Sequence, residues 1–185
     1  MTSTMHQVAN RSLSLAVSPG PDPHWIAWVR DDRKIDLWDV QNSRAGKLSA
    51  PLMNQGWHGL AFYPDGKRLA FVSHTGAAEI WDVAADKRSF QLGEENQFHA
   101  PHIALSKDGT RFAGLLQPDV VSIWDASVRK MLYSFRPEQS EVWSMAWSPK
   151  GDQLAVGLSD GGLVLWDLPI IEAELARIGL ERPHD

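Results

Sequence analysis

Gly162-Leu163-Val164-Leu165-Trp166-Asp167-Leu168, close to the C-terminus, is the clearest of four copies of one pattern. The others are Ile35-Asp36-Leu37-Trp38-Asp39-Val40, Ala78-Glu79-Ile80-Trp81-Asp82-Val83 and Val121-Ser122-Ile123-Trp124-Asp125-Ala126. Successive tryptophans stand 43, 43 and 42 residues apart. That period falls within the ~40–45 residues of a four-stranded tandem repeat.

Upstream of each Trp-Asp lies the same approach. A hydrophobic run ends in a turn, as in Leu60-Ala61-Phe62-Tyr63-Pro64-Asp65-Gly66, Ile103-Ala104-Leu105-Ser106-Lys107-Asp108-Gly109 and Met145-Ala146-Trp147-Ser148-Pro149-Lys150-Gly151. A second apolar run follows, then a polar break, then the Trp-Asp run. Pro fixes φ and Gly supplies positive φ, so these segments read as hairpin turns between strands. Each repeat therefore holds three short strands, with a fourth after the Asp.

This order resembles the WD40 repeat of β-propellers, over about Ser12 to Leu168. The resemblance implies an all-β fold, a WD40-type β-propeller of four blades of antiparallel strands. Both parities of Leu163-Val164-Leu165-Trp166 are apolar, which suits a strand covered on both faces. Trp38, Trp81, Trp124 and Trp166, each followed by Asp39, Asp82, Asp125 or Asp167, are the structural repeat residues. Each such Trp buries ~150–250 Å².

The predicted divisions are a tail or extra outer strand at 1–11, blades at 12–54, 55–97, 98–139 and 140–168, and a helix with tail at 169–185. Trp28 is expected in the core and Trp25, beside three prolines, in solvent. After Pro169 the apolar residues 171, 175 and 178 fall at helical spacing, so the fourth blade lacks its outer strand. This ending is similar to the tail of WD40 arrays in repeat-rich bacteria, some of which begin with a serine/threonine kinase domain. WD40 blades usually close as seven or eight, so four imply an open or paired half-ring, or a fragment of a larger propeller, with uncovered blade faces.

The family's Gly-His pair is missing. Its second-strand hydroxyl survives as Ser73, and its turn acid as Asp160 and Asp32. With that network mostly absent, the buried Trp N–H groups are expected to use backbone carbonyls.

Composition bounds the function. The 185 residues carry a net charge of −5, no Cys and seven His. The acidic balance disfavours nucleic acid as a partner. No run approaches a membrane helix, no leader is evident at Met1, and no thiol is available, so a cytoplasmic location is expected. The histidines scatter over different turns, giving no metal site, and no cofactor or catalytic motif stands out. The expectation is a non-enzymatic scaffold for protein–protein contacts, or the C-terminal sensing module of a larger signalling protein such as a bacterial serine/threonine kinase. The resemblance places the binding rim on loops leading into the innermost strands, here Trp57, His58, His102, Glu141 and Trp143. The partner is a protein or peptide, with a homodimer or further blades from another segment as ways to complete the ring.

Overall fold

The computed structural model describes residues 14–20, 24–53, 59–73, 75–95, 97–98, 100–137 and 140–179. Four antiparallel sheets follow one another along the chain in a propeller arrangement. The first comprises β1 (Ser14–Val17), β2 (Trp25–Val29), β3 (Ile35–Asp39) and β4 (Arg44–Gly46), paired in that order. The second is β5 (Leu60–Phe62), β6 (Arg68–Val72), β7 (Ala78–Asp82) and β8 (Lys87–Leu92). The third is β9 (Ala100–Leu105), β10 (Arg111–Gln117), β11 (Val120–Asp125) and β12 (Lys130–Phe135). The fourth has three strands, β13 (Val142–Trp147), β14 (Gln153–Leu158) and β15 (Leu163–Asp167), followed by α1 (Leu168–Arg177). The innermost strands β1, β5, β9 and β13 neighbour one another in sequence order.

Register decides which residues meet. Within each blade the pairing sets two alanines and an aliphatic residue in one row on the face turned toward the next blade. The row is Ala16, Ala27 and Leu37 in blade one, and Ala61, Ala70 and Ile80 in blade two. It is Ala104, Ala113 and Ile123 in blade three, and Ala146, Ala155 and Leu165 in blade four. Because side chains alternate along a strand, the opposite, leading face carries the repeat tryptophans and larger apolar groups. Small residues on one sheet leave room for large ones on the next.

The cores consequently lie between blades. One layer joins Ala27, Val29 and Leu37 to Phe62, Leu69 and Phe71. A second joins Ala70, Val72 and Ile80 to Phe98, Phe112 and Trp124. A third joins Ala113, Leu115 and Ile123 to Leu154 and Val156, with Trp166 packed against it. Trp124 is buried, whereas Trp38, Trp81 and Trp166 are half-buried.

Two of the repeat indoles do not donate to backbone carbonyls as expected, whereas Trp147 Nε1 does, to Ala104 at 3.2 Å. Trp81 Nε1 donates to Glu79 Oε2 at 2.7 Å and Trp124 Nε1 to Ser122 Oγ at 2.9 Å. The reason is the strand period: residues two apart share a face, so the acceptor comes from the indole's own strand. Ser122 Oγ in turn donates to the Gly114 carbonyl at 2.9 Å, completing a buried chain. Trp25 also departs from expectation. It is half-buried and lies over Gly46, where a Cβ would stand 2.7 Å from its ring.

The aspartates of the four Trp-Asp pairs do one job. Each accepts a backbone N–H three residues on: Asn42 to Asp39 at 3.0 Å, Ala85 to Asp82 at 2.8 Å, Val128 to Asp125 at 3.2 Å and Ile170 to Asp167 at 3.2 Å. In three blades this turn passes through a left-handed residue, Ser43, Asp86 or Arg129, and returns as the outer strand. In blade four Pro169 follows instead, and the same carboxylate becomes the N-cap of α1. The helix ends near Gly179 at φ 75°. Glu172 is not in its first turn; it accepts from Tyr133 Oη at 3.1 Å and lies 3.8 Å from Arg111, tying α1 to blade three.

Candidate functional site

Two kinds of loop share one edge of the array, the linkers entering each innermost strand and the middle turns of each blade. Backbone hydrogen bonds pin them together across blades. Met53 N donates to the Arg33 carbonyl at 3.0 Å, Phe98 N to Gly76 at 2.8 Å and Val142 N to Pro118 at 2.8 Å. Each bond ties the approach to an innermost strand to the middle turn of the blade before it. Met53 also bridges to Ser73, whose buried hydroxyl shares a hydrogen with Thr75 at 2.8 Å.

Blade four holds the fullest part of the rim. Ser140 Oγ donates to Asp160 Oδ2 at 2.7 Å and Gly162 N donates to Asp160 Oδ1 at 2.8 Å. These bonds, Ser140 first, hold the Asp160 carboxyl below the ordinary carboxylate value. Ser159 N donates to the Glu141 carbonyl at 2.9 Å, so Glu141 is fixed at the backbone while its side chain stays exposed. Ser140 thus holds the turn acid of blade four from the linker side, a contact that a search for Gly-His does not find. Asp32, the other turn acid, faces Arg30 Nη2 at 3.2 Å and accepts from Lys34 N at 3.3 Å.

Trp143 follows directly. The pairing of β13 with β14 shifts between Val142 and Ser144, leaving Trp143 as the extra residue of a bulge. A bulge re-aims a side chain, and Trp143 is 63% exposed. The pairing of β9 with β10 is irregular at the corresponding point, between Ala100 and Ile103. His102 lies there, half-buried, and burial lowers its imidazole pKa, favouring the neutral ring. β9 and β13 are neighbours, which puts His102 and Trp143 on adjacent innermost strands, with Glu141 just before β13. Trp57 and His58 lie outside the described residues.

Blade three contributes a feature not anticipated from the sequence. Its tight middle turn, Gln117-Pro118-Asp119, carries Arg136 from the linker, 3.1 Å from Asp119 and donating to Gln117 Oε1 at 3.3 Å. Among the described residues no group of three or more His, Asp or Glu is placed to hold a metal ion. Nor, among the described residues, is any helix long and apolar enough to cross a membrane.

Comparison with known proteins agrees with this architecture. Residues 129–167 match the WD domain, G-beta repeat family. The matched segment starts at the outer strand of blade three and ends at Asp167, so the sequence repeat straddles two structural blades. The chain is 26% identical over 160 residues to small ribosomal subunit protein RACK1y of Oryza sativa subsp. japonica, covering 80% of this chain and 45% of that protein. It is 29% identical over 154 residues to anaphase-promoting complex subunit cdh1 of Dictyostelium discoideum, covering 78% and 19%. It is 28% identical over 137 residues to WD repeat-containing protein SL1-17 of Schistosoma mansoni, covering 74% and 44%. The chain spans less than half the length of each of these curated relatives. It is an all-β propeller array of four antiparallel blades with a short C-terminal helix, carrying the WD repeat and similar to WD-repeat proteins.

Proposed function

We propose that this chain is a non-enzymatic WD40-repeat scaffold, cytoplasmic, that captures a protein or peptide on the rim of blades three and four. The observation that carries this reading is Trp143: a large indole, 63% exposed, on a bulge. Around it stand the backbone-fixed Glu141 and the Ser140–Asp160 pair. An exposed aromatic framed by held polar groups is the usual anchor of a protein contact. His102, half-buried on the adjacent innermost strand, adds a flat polar surface, and the sequence adds Trp57 and His58 as further candidates for the same role. Relatives named as a subunit of the anaphase-promoting complex and of the small ribosomal subunit fit a role inside assemblies. A net charge of −5 disfavours nucleic acid as the partner.

The test is affinity capture with the wild-type chain, Trp143→Ala, Glu141→Lys and Leu165→Glu, the last altering a lateral face and no rim residue. Partner recovery should fall at least ~10-fold for the Trp143 variant, as for a hot spot worth about 1.4 kcal/mol or more. It should fall less for Glu141→Lys. Undiminished recovery by both rim variants would refute the reading.

A further inference from the structure

The row of two alanines and an aliphatic residue occurs four times and is covered only three times. Leu37, Ile80 and Ile123 are buried beneath the next blade. At the equivalent places in blade four, Leu165 is 57% exposed, and Leu163 beside it 73%. Nothing about the fourth row is adapted to water. Its register, its small inner residues and its leucine repeat the buried rows.

The opposite end of the array lacks the matching piece. On the leading faces of blades two to four, the innermost strands present Leu60 and Phe62, Ile103 and Leu105, Met145 and Trp147, all packed into the cores between blades. Blade one presents Leu15 and Val17 at those positions, and both are exposed. In blades two to four Gly66, Gly109 and Gly151, all at positive φ, sit against Pro19, Pro64 and Ser106 of the preceding blade, so each turn also packs on the turn before it. Among the described residues one chain therefore bears both halves of one contact, unlike each other and each unmet.

We infer that the exposed face of blade four receives the leading face of blade one of a second copy, and that the reciprocal contact closes the pair into an eight-bladed ring. A contact between two different patches of the same chain closes into a ring when the rotation permits, and two such contacts satisfy both ends of both copies. Eight lies within the ~4–8 blades at which propellers close. The second copy is the occupant whose surface is on view: it offers an apolar pair at Leu15 and Val17, in the places where Met145 and Trp147 of blade four pack on blade three. This contact is independent of the rim, since it uses the lateral faces.

Light scattering after size exclusion, over a dilution series, tests it. The wild-type chain should show twice the 20.6 kDa chain mass. Leu165→Glu and Leu15→Lys should each weaken pairing roughly 100-fold or more, because an unpaired charge would be buried, and each should melt like dilute wild type. An equimolar mixture of the two should regain the paired mass, one contact being wild type and the other setting opposite charges on facing sheets. A wild-type chain that stays single at every concentration overturns the inference and leaves the face to further blades. Masses above two chains overturn the closed pair, and a Leu165→Glu chain that pairs like wild type overturns the surface.

Discussion

Blades three and four are built from nearly the same parts and end in different circumstances. Both have Ala-Ala-aliphatic rows, Ser-capped turns and a Trp-Asp strand, but blade three is covered on both faces while blade four is covered on one. Ile123 is buried completely and its counterpart Leu165 stands in solvent. Burial in this architecture is therefore a property of the neighbour rather than of the blade. A repeat stabilises itself only by what stacks on it, and the cost of leaving a row uncovered falls on the last member of the series.

The sharpest way to break this comparison is at the indoles. Trp124→Ala empties a site between blades two and three and should cost ~3–5 kcal/mol, whereas Trp143→Ala, on the exposed bulge of blade four, should stay within ~0.5 kcal/mol. Denaturant midpoints of the two variants decide it, and similar losses would place Trp143 in a core. A smaller effect is expected at Ser122. Replacing it by Ala strands the Trp124 N–H and should cost ~1–3 kcal/mol. Blade four has Val164 in that place, so Val164→Ser should not destabilise comparably; an equal loss would mean the hydrogen bond is not the cause. Smaller again is the cap. Asp125→Ala and Asp167→Ala should each cost ~1 kcal/mol, but only the second should reduce helical circular dichroism.

The blades agree in one respect, and pH reads it. Asp108 in blade three and Asp152 in blade four accept from Ser106 and Ser148 at 2.6 Å, and these bonds are the main cause that lowers both carboxyl pKa values. A folded pKa below the unfolded one gives stability that is complete above the ordinary carboxylate value near ~4. That stability is lost as pH falls through the lowered folded values. Ser106→Ala and Ser148→Ala should therefore flatten the acid decline of the melting temperature alike. An unchanged acid limb in either variant would show that its serine does not set the carboxyl.

Much of this was legible in the chain itself. The 43, 43 and 42 residue spacing of the tryptophans, with a turn before each, gave the four blades, and Pro169 marked where an outer strand gives way to a helix. What stayed hidden depended on register. The Glu79 and Ser122 acceptors sit two residues before their tryptophans, and only pairing shows that they share a buried face. Trp25, beside three prolines, reads as a strand residue facing solvent, but Gly46 is its floor. The bulge that exposes Trp143 leaves no mark in composition, because it arises from one unmatched residue against β14. The Ser140–Asp160 bond likewise joins residues 20 apart and has no motif of its own.

The claim that neighbours, not blades, decide burial is tested most directly by unfolding Ile123→Ala and Leu165→Ala in denaturant, at dilutions where each is a single chain. Ile123→Ala should lose ~2–5 kcal/mol and Leu165→Ala no more than ~0.5 kcal/mol. Equal losses at the two positions would contradict the account, because they would mean that the last row is covered within the chain.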